Sequence, residues 1–380
     1  MTTHYQVCTR CVMDTSDPEI TFDADGVCSH CRYFDEVTSK NWFPNAEGER
    51  LLQAKLAEIK RAGAGQDYDC ILGLSGGVDS SYLALKAKDW GLRPLVVHVD
   101  AGWNSELAVS NIESLVRYCN YDLHTIVIDW DEMRDLQLAF LKSGLSNQDT
   151  PQDHAFFASL YRYAVKNKIR YILSGGNIAT ESILPKSWHS SPMDGTLIRD
   201  IHKKFGAVPL KTFPVIGFWQ YYLWYPVVHG MRTFRPLNFM PYDKAEAMAT
   251  LERETGWRSY GRKHGESRFT KFFQNYYLPT KFGYDKRRPH LSSLIVAGQM
   301  TREAAVLELG KPLYDPEELK ADEHFLCKKL RLTEAQFQEL LHARNRDYTE
   351  FANWDRQKAA MGTVRRLLQR LSGKQIKVYY

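Results

Sequence analysis

The sequence predicts an α/β protein with a doubly wound parallel sheet, a small metal-binding module before it and a helical region after it. Three observations lead to this prediction. Two Cys-x2-Cys pairs stand near the beginning, short apolar runs alternate with helical segments in the middle, and amphipathic helical spacing dominates the last third. We place the divisions at residues 1–48, 49–248 and 249–380, and we expect the last to contribute to the substrate site.

Composition places the chain among ordinary globular proteins. Of its 380 residues, 44% are hydrophobic and 25% charged, which excludes a disordered or collagen-like chain. Fifty Lys and Arg against 45 Asp and Glu give a net charge of only +5, so no stable nucleic-acid partner is expected. The opening MTTHYQVCTR has no apolar run, so we expect a cytoplasmic protein whose thiols serve metal binding or catalysis rather than disulfides.

One uncharged stretch tests the expectation that no segment crosses a membrane. Between Lys211 and Arg232 there is no charged residue. Pro214, Gly217 and Pro226 interrupt this stretch, so we expect it to be buried or to face the substrate. Seven aromatic residues crowd its centre: Phe213, Phe218, Trp219, Tyr221, Tyr222, Trp224 and Tyr225.

The first cysteines have the spacing of a zinc site. Cys8 and Cys11 form one pair and Cys28 and Cys31 the other, with sixteen residues between them and turn-forming Asp23–Gly26 in that interval. Four thiolates around one ion leave no position for water, so the expected role is structural. Four-cysteine sets also hold iron–sulfur clusters, and the spacing leaves that alternative open.

A strand, a glycine-rich loop and a helix follow one another from residue 70. Cys70–Leu74 is expected to be a buried strand, Ser75-Gly-Gly-Val-Asp-Ser80 a loop and 81–90 a helix, with the next strand, Leu95–Val99, about 25 residues after the first. This is the spacing of a βαβ unit. Further strands are predicted over 123–128 and 170–173, and helices over 105–119, 131–142, 153–168, 302–309, 316–330, 334–343 and 362–371.

The loop has the chemistry of an anion site. Gly76 and Gly77 allow a tight turn and present bare N–H groups at the positive end of the helix. Ser75, Ser80 and Ser81 add hydroxyl donors, and Asp79 is suited to hold Mg²⁺ or a ribose. There is no Gly-Lys-Ser/Thr and no G-x-G-x-x-G, so neither the Walker loop nor the dinucleotide loop is present.

Ser75-Gly-Gly-Val-Asp-Ser80 resembles the PP-loop of the N-type ATP pyrophosphatases, which share a doubly wound HUP-like fold. The resemblance implies that ATP is cleaved between its α and β phosphates and that a carbonyl oxygen is adenylated. It further implies that Ser75, Gly76, Gly77, Asp79 and Ser80 cradle the pyrophosphate. On the same resemblance, Asp100 contacts adenosine, and Gly175 and Asn177 belong to a second nucleotide-side loop.

A larger set of motifs resembles the N-acetyl sugar amidotransferases of the WbpG and PseA type. The motifs are the two cysteine pairs, Asp100–Asn104, Gly175–Pro185, Glu266–Phe273 and Tyr284–Ser293. This resemblance implies that the acetamido carbonyl of a nucleotide sugar, preferably a UDP-2,3-diacetamido uronic acid, is adenylated and that ammonia then displaces AMP. The product would be an acetamidino sugar for O-antigen, that is, lipopolysaccharide, biosynthesis. ATP, Mg²⁺ and Zn²⁺ are the implied cofactors.

The chain shows no glutaminase of its own. Position 2 is Thr2 rather than the cysteine of an amino-terminal nucleophile, and Cys70, Cys119 and Cys327 lack a nucleophile elbow and are expected to be plain buried cysteines. Ammonia must therefore come from outside the chain. The resemblance implies a separate HisH-like glutaminase with a HisF-like barrel as its conduit.

A PP-loop lacks a lysine, so cations from elsewhere are expected at the phosphates. Lys271 and Lys281 are the catalytic candidates because each lies among aromatic residues, and Glu181 is a candidate to orient Mg²⁺ or ammonia. His264, Glu266 and Arg288 are the candidate substrate-binding residues. A solvated basic face is the alternative interpretation of this whole stretch.

Two other functions remain as alternatives. One is a tRNA-modifying PP-loop enzyme, either a thiolation enzyme or a lysidine-type ligase; the lack of a mid-chain Cys-x2-Cys argues against thiolation. The other is a non-enzymatic scaffold. The complete Ser75–Ser80 loop, together with Asn177 and Glu181, argues against a scaffold.

Overall fold

The computed structural model describes residues 5–261 and 265–372, with side chains as far as residue 363. Five parallel strands form one sheet in the order β3-β2-β1-β4-β5. They are β1 Cys70–Gly73, β2 Pro94–Asp100, β3 Leu123–Val127, β4 Tyr171–Leu173 and β5 Arg232–Phe234. The predicted fold class is confirmed, and the four predicted strands agree to within one residue at each end; β5 was not predicted.

Helices surround the sheet and make up the end of the described chain. The α-helices are α1 Ser29–Tyr33, α2 Ala46–Ala62, α3 Val78–Asp89, α4 Glu106–Cys119, α5 Trp130–Ser143, α6 Thr150–Lys166, α7 Ile178–Glu181, α8 Gly195–Phe205, α9 Lys244–Thr255, α10 Arg268–Phe272, α11 Leu278–Phe282, α12 Arg287–Val296, α13 Arg302–Leu309, α14 Pro316–Leu330, α15 Glu334–His342 and α16 Asp355–Ser372. Wider π-type turns cover Phe34–Thr38, Gln220–Val228 and Phe273–Tyr277. Short 3-10 turns cover Ser39–Asn41, Lys186–Trp188, Pro236–Phe239 and Tyr348–Glu350.

Alternating strand residues enter two separate cores, which is what a sheet covered on both faces requires. Ile71 and Val97 pack with apolar residues of α5, α6, α8 and the carboxy-terminal helices. Their neighbours Leu72 and Val96 pack on the other face, against α2, α3, α4 and α9. The carboxy-terminal region therefore belongs to one of the two cores and is not a separate appendage.

The strand order also locates the ligand edge. The chain moves outwards from β1 to β2 and β3, and then returns to the other side of β1 for β4 and β5. Ligands of such sheets bind at the carboxyl ends of the strands where this reversal occurs. Here that point lies between β1 and β4, so the loops that follow Gly73 and Leu173 must meet there.

The uncharged aromatic stretch is only partly buried, which corrects the expectation from sequence. Phe213, Phe218 and Tyr225 are buried, but Trp219 and Trp224 are 64% and 50% exposed. The stretch packs on one side only, where Tyr221 contacts Tyr161 and Trp354. Among the described residues, no helix is both long and apolar enough to span a membrane.

A buried carboxylate holds the carboxy-terminal helices to α10. Asp322 is 3% exposed and binds Arg268 and Lys271 at 2.5 Å each, while the Tyr314 hydroxyl donates to it at 2.6 Å. Burial alone would raise the pKa of Asp322, but the hydrogen bonds from Lys271, Tyr314 and Arg268 outweigh it and lower that pKa. The network is stable only while this carboxylate is charged.

We expect Asp322→Ala to lower the free energy of unfolding by about 3 kcal/mol, because it leaves Lys271 charged and poorly paired in a half-buried position. Glu318→Ala is the matched control: it removes the other, more exposed carboxylate on Lys271 and should cost less than about 1 kcal/mol. Urea unfolding measures both. Because the folded pKa is lowered, the difference between Asp322→Asn and the natural protein should be full above pH about 4 and shrink as the pH falls further. Equal effects of the two alanine variants would contradict this assignment.

Candidate active site and metal centre

The glycine loop joins β1 to α3 in the conformation that its residues predict. Gly76 has φ +84°, and Gly77 stands at the N-cap of α3 without any side-chain cap. The first N–H groups of α3 are thus left for an anion at the positive end of the helix. The Ser75 and Ser80 hydroxyls lie 3.1 Å apart on the loop. Ser81, also predicted to bind ATP, is instead fully buried in α3.

The second loop meets the first in backbone contact. A Cβ added at Gly175 would stand 2.9 Å from the carbonyl carbon of Asp79 and from the nitrogen of Ser80. Asn177 is 5% exposed; its amide donates to Asp79 Oδ1 at 3.0 Å, and its oxygen caps α7 by accepting from Thr180. The structure therefore brings Asp79, Gly175 and Asn177 together.

Tyr242 is a contact that the sequence did not reveal. Its hydroxyl donates to Asp79 Oδ1 at 2.5 Å. Burial and the Asp79 carboxylate raise the pKa of Tyr242 far above its usual range, with a further contribution from Glu181. Asp79 and the exposed Glu181 thus lie on the same side of the loop. Two carboxylates beside a phosphate site are the ligands that Mg²⁺ takes together with phosphate oxygens.

Arg235 supplies a cation at this edge. It follows β5 directly, and its Nε lies 3.8 Å from the place that a Cβ on Gly176 would occupy. Glu181 Oε2 lies at the same distance from that place. Arg235 was not predicted as a site residue, because β5, the strand that it follows, was not predicted.

The end of β2 forms an ordered turn around Asp100. Asp100 Oδ1 accepts from the Gly102 N–H at 2.8 Å and from the Asn104 amide at 3.1 Å. His98 Nδ1 donates to the Leu74 carbonyl at 2.9 Å, so its Nε2 accepts from Asn104. Asp100 therefore lies at the ligand edge, where the adenosine contact was predicted.

Residues beyond the sheet close around the loop. Trp257 Nε1 and the Tyr260 hydroxyl donate to the Gly76 carbonyl at 3.0 and 2.9 Å. Glu266 lies beside Gly77, 3.4 Å from the position of a Cβ there, so this predicted substrate residue does reach the loop. Trp257 and Tyr260 were not predicted from sequence; two aromatic residues between Gly256 and Gly261 are the local pattern that could have indicated them.

Two predicted catalytic lysines have other partners. Lys271 pairs with Glu318 and Asp322, and Lys281 donates to three carbonyl groups at the end of α15, those of Leu340, Leu341 and Ala343. The described contacts of both therefore join helices of the carboxy-terminal region. They give no support to a role at the phosphates.

Another cation from that region lies closer to the sheet edge. Lys329, on α14, donates to the Gly102 carbonyl and stands 5.1 Å and 4.7 Å from the ring centres of Trp103 and Trp130. Burial lowers the pKa of Lys329, while the Asp100 carboxylate opposes that shift. No local pattern in the sequence distinguishes Lys329 from the many other lysines of the helical region.

Arg288, another predicted substrate-binding residue, is placed away from the glycine loop. Arg288 pairs with Asp14 at 2.9 Å and donates to the Val12 carbonyl at 2.8 Å, so it fastens α12 to the cysteine module rather than facing the loop. His264 lies outside the described residues.

The four amino-terminal cysteines form one compact cluster. All are buried, and their Sγ atoms lie within 4.8 Å of one another, with Cys11–Cys28 at 3.7 Å and Cys8–Cys31 at 4.0 Å. Zn–S bonds of about 2.3 Å in a tetrahedron place sulfurs about 3.8 Å apart, so the donor set fits one zinc ion. A cluster of several irons would need more widely spaced sulfurs.

Hydrogen bonds to the sulfurs support a thiolate site. The N–H groups of Cys11 and Cys28 point to Cys8 Sγ at 3.4 and 3.3 Å, and the N–H of Met13 points to Cys11 Sγ at 3.4 Å. Such bonds orient and stabilise metal-bound thiolates. The predicted hairpin turn is present, with Gly26 at φ +76° and a single bridge between Phe22 and Cys28.

We expect Cys11→Ser to lose zinc and most of its solubility, because metal binding supplies folding energy to so small a module. Cys119→Ser, at a buried cysteine outside the cluster, is the control and should keep a full equivalent of metal. Elemental analysis of the purified proteins measures the metal. A soluble, metal-free and active Cys11→Ser protein would show that the cluster is not a structural metal site.

Comparison with known protein families gives a match for the carboxy-terminal part of the chain. Residues 266–366 match the family described as "LPS biosynthesis protein WbpG-like, C-terminal domain". No curated protein gave a significant match in sequence. The segment that carries Glu266, Arg268 and Lys329 is therefore the part of the chain with a recognised family.

Two solved structures overlap with most of the chain. NMN synthetase from Francisella tularensis has 14% identity and a TM-score of 0.37, covering 76% of this chain and 96% of its own. The NH3-dependent NAD synthetase from Campylobacter jejuni, in complex with the nitrate ion, has 14% identity and a TM-score of 0.32, covering 78% and 98%. The strand order itself is that of a doubly wound α/β sheet, and the glycine loop lies at its point of reversal. Such a sheet is followed in this chain by a segment, residues 266–366, that is similar to the WbpG-like C-terminal domain.

Proposed function

We propose that the protein is an ATP-dependent amidotransferase that converts an acetamido group of a nucleotide-linked sugar, preferably a UDP-2,3-diacetamido uronic acid, into an acetamidino group. The observation that carries the proposal is the meeting of two glycine loops at the reversal point of the sheet, with Asp79 bonded to Asn177 between them. The WbpG-like carboxy-terminal domain supports a substrate from lipopolysaccharide biosynthesis.

The first step would be adenylation. The acetamido carbonyl oxygen attacks the α-phosphorus of ATP, and pyrophosphate leaves. The open N–H groups at the start of α3 and the Ser75 and Ser80 hydroxyls are placed to hold the departing pyrophosphate. Arg235 is the cation at this edge, and it takes the place that Lys271 and Lys281 do not fill.

Magnesium fits the carboxylates of this edge. Asp79 and Glu181 are the residues that would hold it, and when bound it would neutralise phosphate charge. Tyr242 and Asn177 both donate to Asp79 Oδ1 and so hold the carboxylate in one orientation. A fixed carboxylate loses less entropy on binding a cation than a mobile one.

The second step would be attack by ammonia on the adenylated carbon, with departure of AMP. The chain's own thiols do not supply a glutaminase nucleophile. Cys70, Cys119 and Cys327 are all buried, and burial raises the pKa of each, to about 11 for Cys119 and Cys327. This supports ammonia delivery by a separate glutaminase, in our proposal a HisH-like enzyme working through a HisF-like barrel.

Asp79→Ala should abolish AMP formation while leaving the fold intact. It removes the carboxylate to which Asn177 and Tyr242 both donate, so both the loop contact and the cation ligand are lost. AMP and pyrophosphate release with UDP-diacetamido sugar, ammonium, ATP and Mg²⁺ is the measurement. Asp89→Ala, at the exposed far end of the same helix, is the control. Undiminished turnover by Asp79→Ala would refute this role.

Gly175→Ala should weaken binding of a non-hydrolysable ATP analogue at least about tenfold, because the new Cβ would press on the backbone of Asp79 and Ser80. Gly176→Ala should bind normally, since its Cβ would meet nothing closer than 3.4 Å. Calorimetric titration measures both variants. If the two behave alike, the close approach of the loops does not matter for nucleotide binding.

A further inference from the structure

A second cavity lies apart from the glycine loop, beside the turn Lys186–Trp188 and the segment before α16. It has a volume of about 190 Å³, which is smaller than most sites for whole small molecules and suits a compact polar group. Donor groups line much of it, and an aromatic ring completes the wall: Lys186, His189, Ser190, Ser191, Tyr348 and Lys358. Nothing in the reaction described above uses these residues.

The carboxylates of this cavity already have partners from the fold. Asp194 is 3% exposed and accepts from the N–H groups of Thr196, Leu197 and Trp354, so it caps α8 and fixes the segment before α16. Asp355 accepts from the Tyr348 hydroxyl at 3.0 Å and lies 3.6 Å from Lys358.

The donor groups are less engaged. The Lys186 side chain is exposed and makes no hydrogen bond or ion pair within the described part of the chain. His189 Nδ1 donates to the Pro185 carbonyl at 2.8 Å, which fixes the ring and leaves Nε2 for another partner. The cavity therefore offers the ammonium group of Lys186, the Nε2 of His189 and the two serine hydroxyls as donors to a phosphate.

Polar residues lead from this cavity to the glycine loop. Lys286, at the start of α12, lies within electrostatic range of both His189 and Asp153. Gln152, next to Asp153, contacts Ser267 at 3.4 Å. Ser267 follows Glu266, whose carboxylate lies beside Gly77.

We propose that this cavity binds the phosphate groups of the nucleotide-linked substrate, while the sugar extends along the polar residues towards the loop. The inference rests on the proposed function and adds to it the site for the nucleoside diphosphate. Lys186 supplies positive charge, the serine hydroxyls supply donors, and Tyr348 supplies a ring beside which a base can pack. ATP and the sugar nucleotide would thus occupy different sites.

The test is calorimetric titration of UDP into the full-length protein and into Lys186→Glu. We expect UDP to bind the natural protein and to bind Lys186→Glu at least about tenfold more weakly, with Lys186→Arg retaining most of the affinity. Lys60→Glu, a charge reversal at an exposed lysine in the last turn of α2, is the matched control and should bind UDP normally. A non-hydrolysable ATP analogue should bind all four proteins equally.

Three results would overturn the inference: no UDP binding to the natural protein, equal UDP binding by Lys186→Glu, or displacement of UDP by the ATP analogue. The last would mean that UDP occupies only the glycine loop. Because these titrations need no turnover, they separate the two proposals. If UDP binding depends on Lys186 but no UDP-diacetamido sugar supports AMP release from ATP, the proposed reaction is contradicted and the inference about the cavity stands. If Lys186→Glu turns over with an unchanged KM for the sugar nucleotide, the proposed reaction is supported and the inference about the cavity is contradicted.

Discussion

The contact between Gly175 and the backbone of Asp79 and Ser80 is the constraint on which the rest of the site depends. It exists because β1 and β4 are neighbours in the sheet, so the loops that follow them share one edge. Only a residue without a side chain allows two backbones to approach this closely. The approach in turn places Asn177 within hydrogen-bonding distance of Asp79, and from that pair the orientation of the remaining groups follows.

The carboxy-terminal half completes the site from the other side. Trp257 and Tyr260 donate to the Gly76 carbonyl and so fix the conformation of the glycine loop. The N–H groups at the start of α3 are thereby oriented before any ligand binds. A bridge between Asn104 and Ser267 joins the turn after β2 to the start of α10, and Lys329 reaches the same turn from α14. The family-matched segment is thus in contact with the edge of the sheet that carries the glycine loop.

Local signals in the sequence predicted most of the fold, and non-local contacts explain what it did not predict. The strand, loop and helix from Cys70 onwards are each indicated by consecutive residues, and the cysteine pairs are indicated by their short spacing. Tyr242 stands 163 residues from Asp79, and no local pattern connects them. Lys271 and Lys281 were misjudged for a related reason: aromatic neighbours in sequence do not reveal whether a carboxylate or a helix end will meet the ammonium group. Trp219 and Trp224 were expected inside because their segment is uncharged, yet only one side of it finds packing partners.

The zinc module has a structural connection to both sites. Ile183, just after α7, packs against the cysteine cluster, so the helix that carries Glu181 ends on the metal module. Asp17, which is 2% exposed, accepts from Ser187 at 2.7 Å, and Ser187 lies between Lys186 and the Trp188 ring that stacks on Tyr284. Arg302 of α13 donates to the Cys8 and Cys11 carbonyls. A metal ion held by four thiolates would have no open position for a reactant, so it would not take part in the reaction. The folding free energy from binding it would stabilise these contacts. A metal ion bound by the four cysteines would therefore stabilise the positions of the Glu181 helix and of the Lys186 cavity wall together.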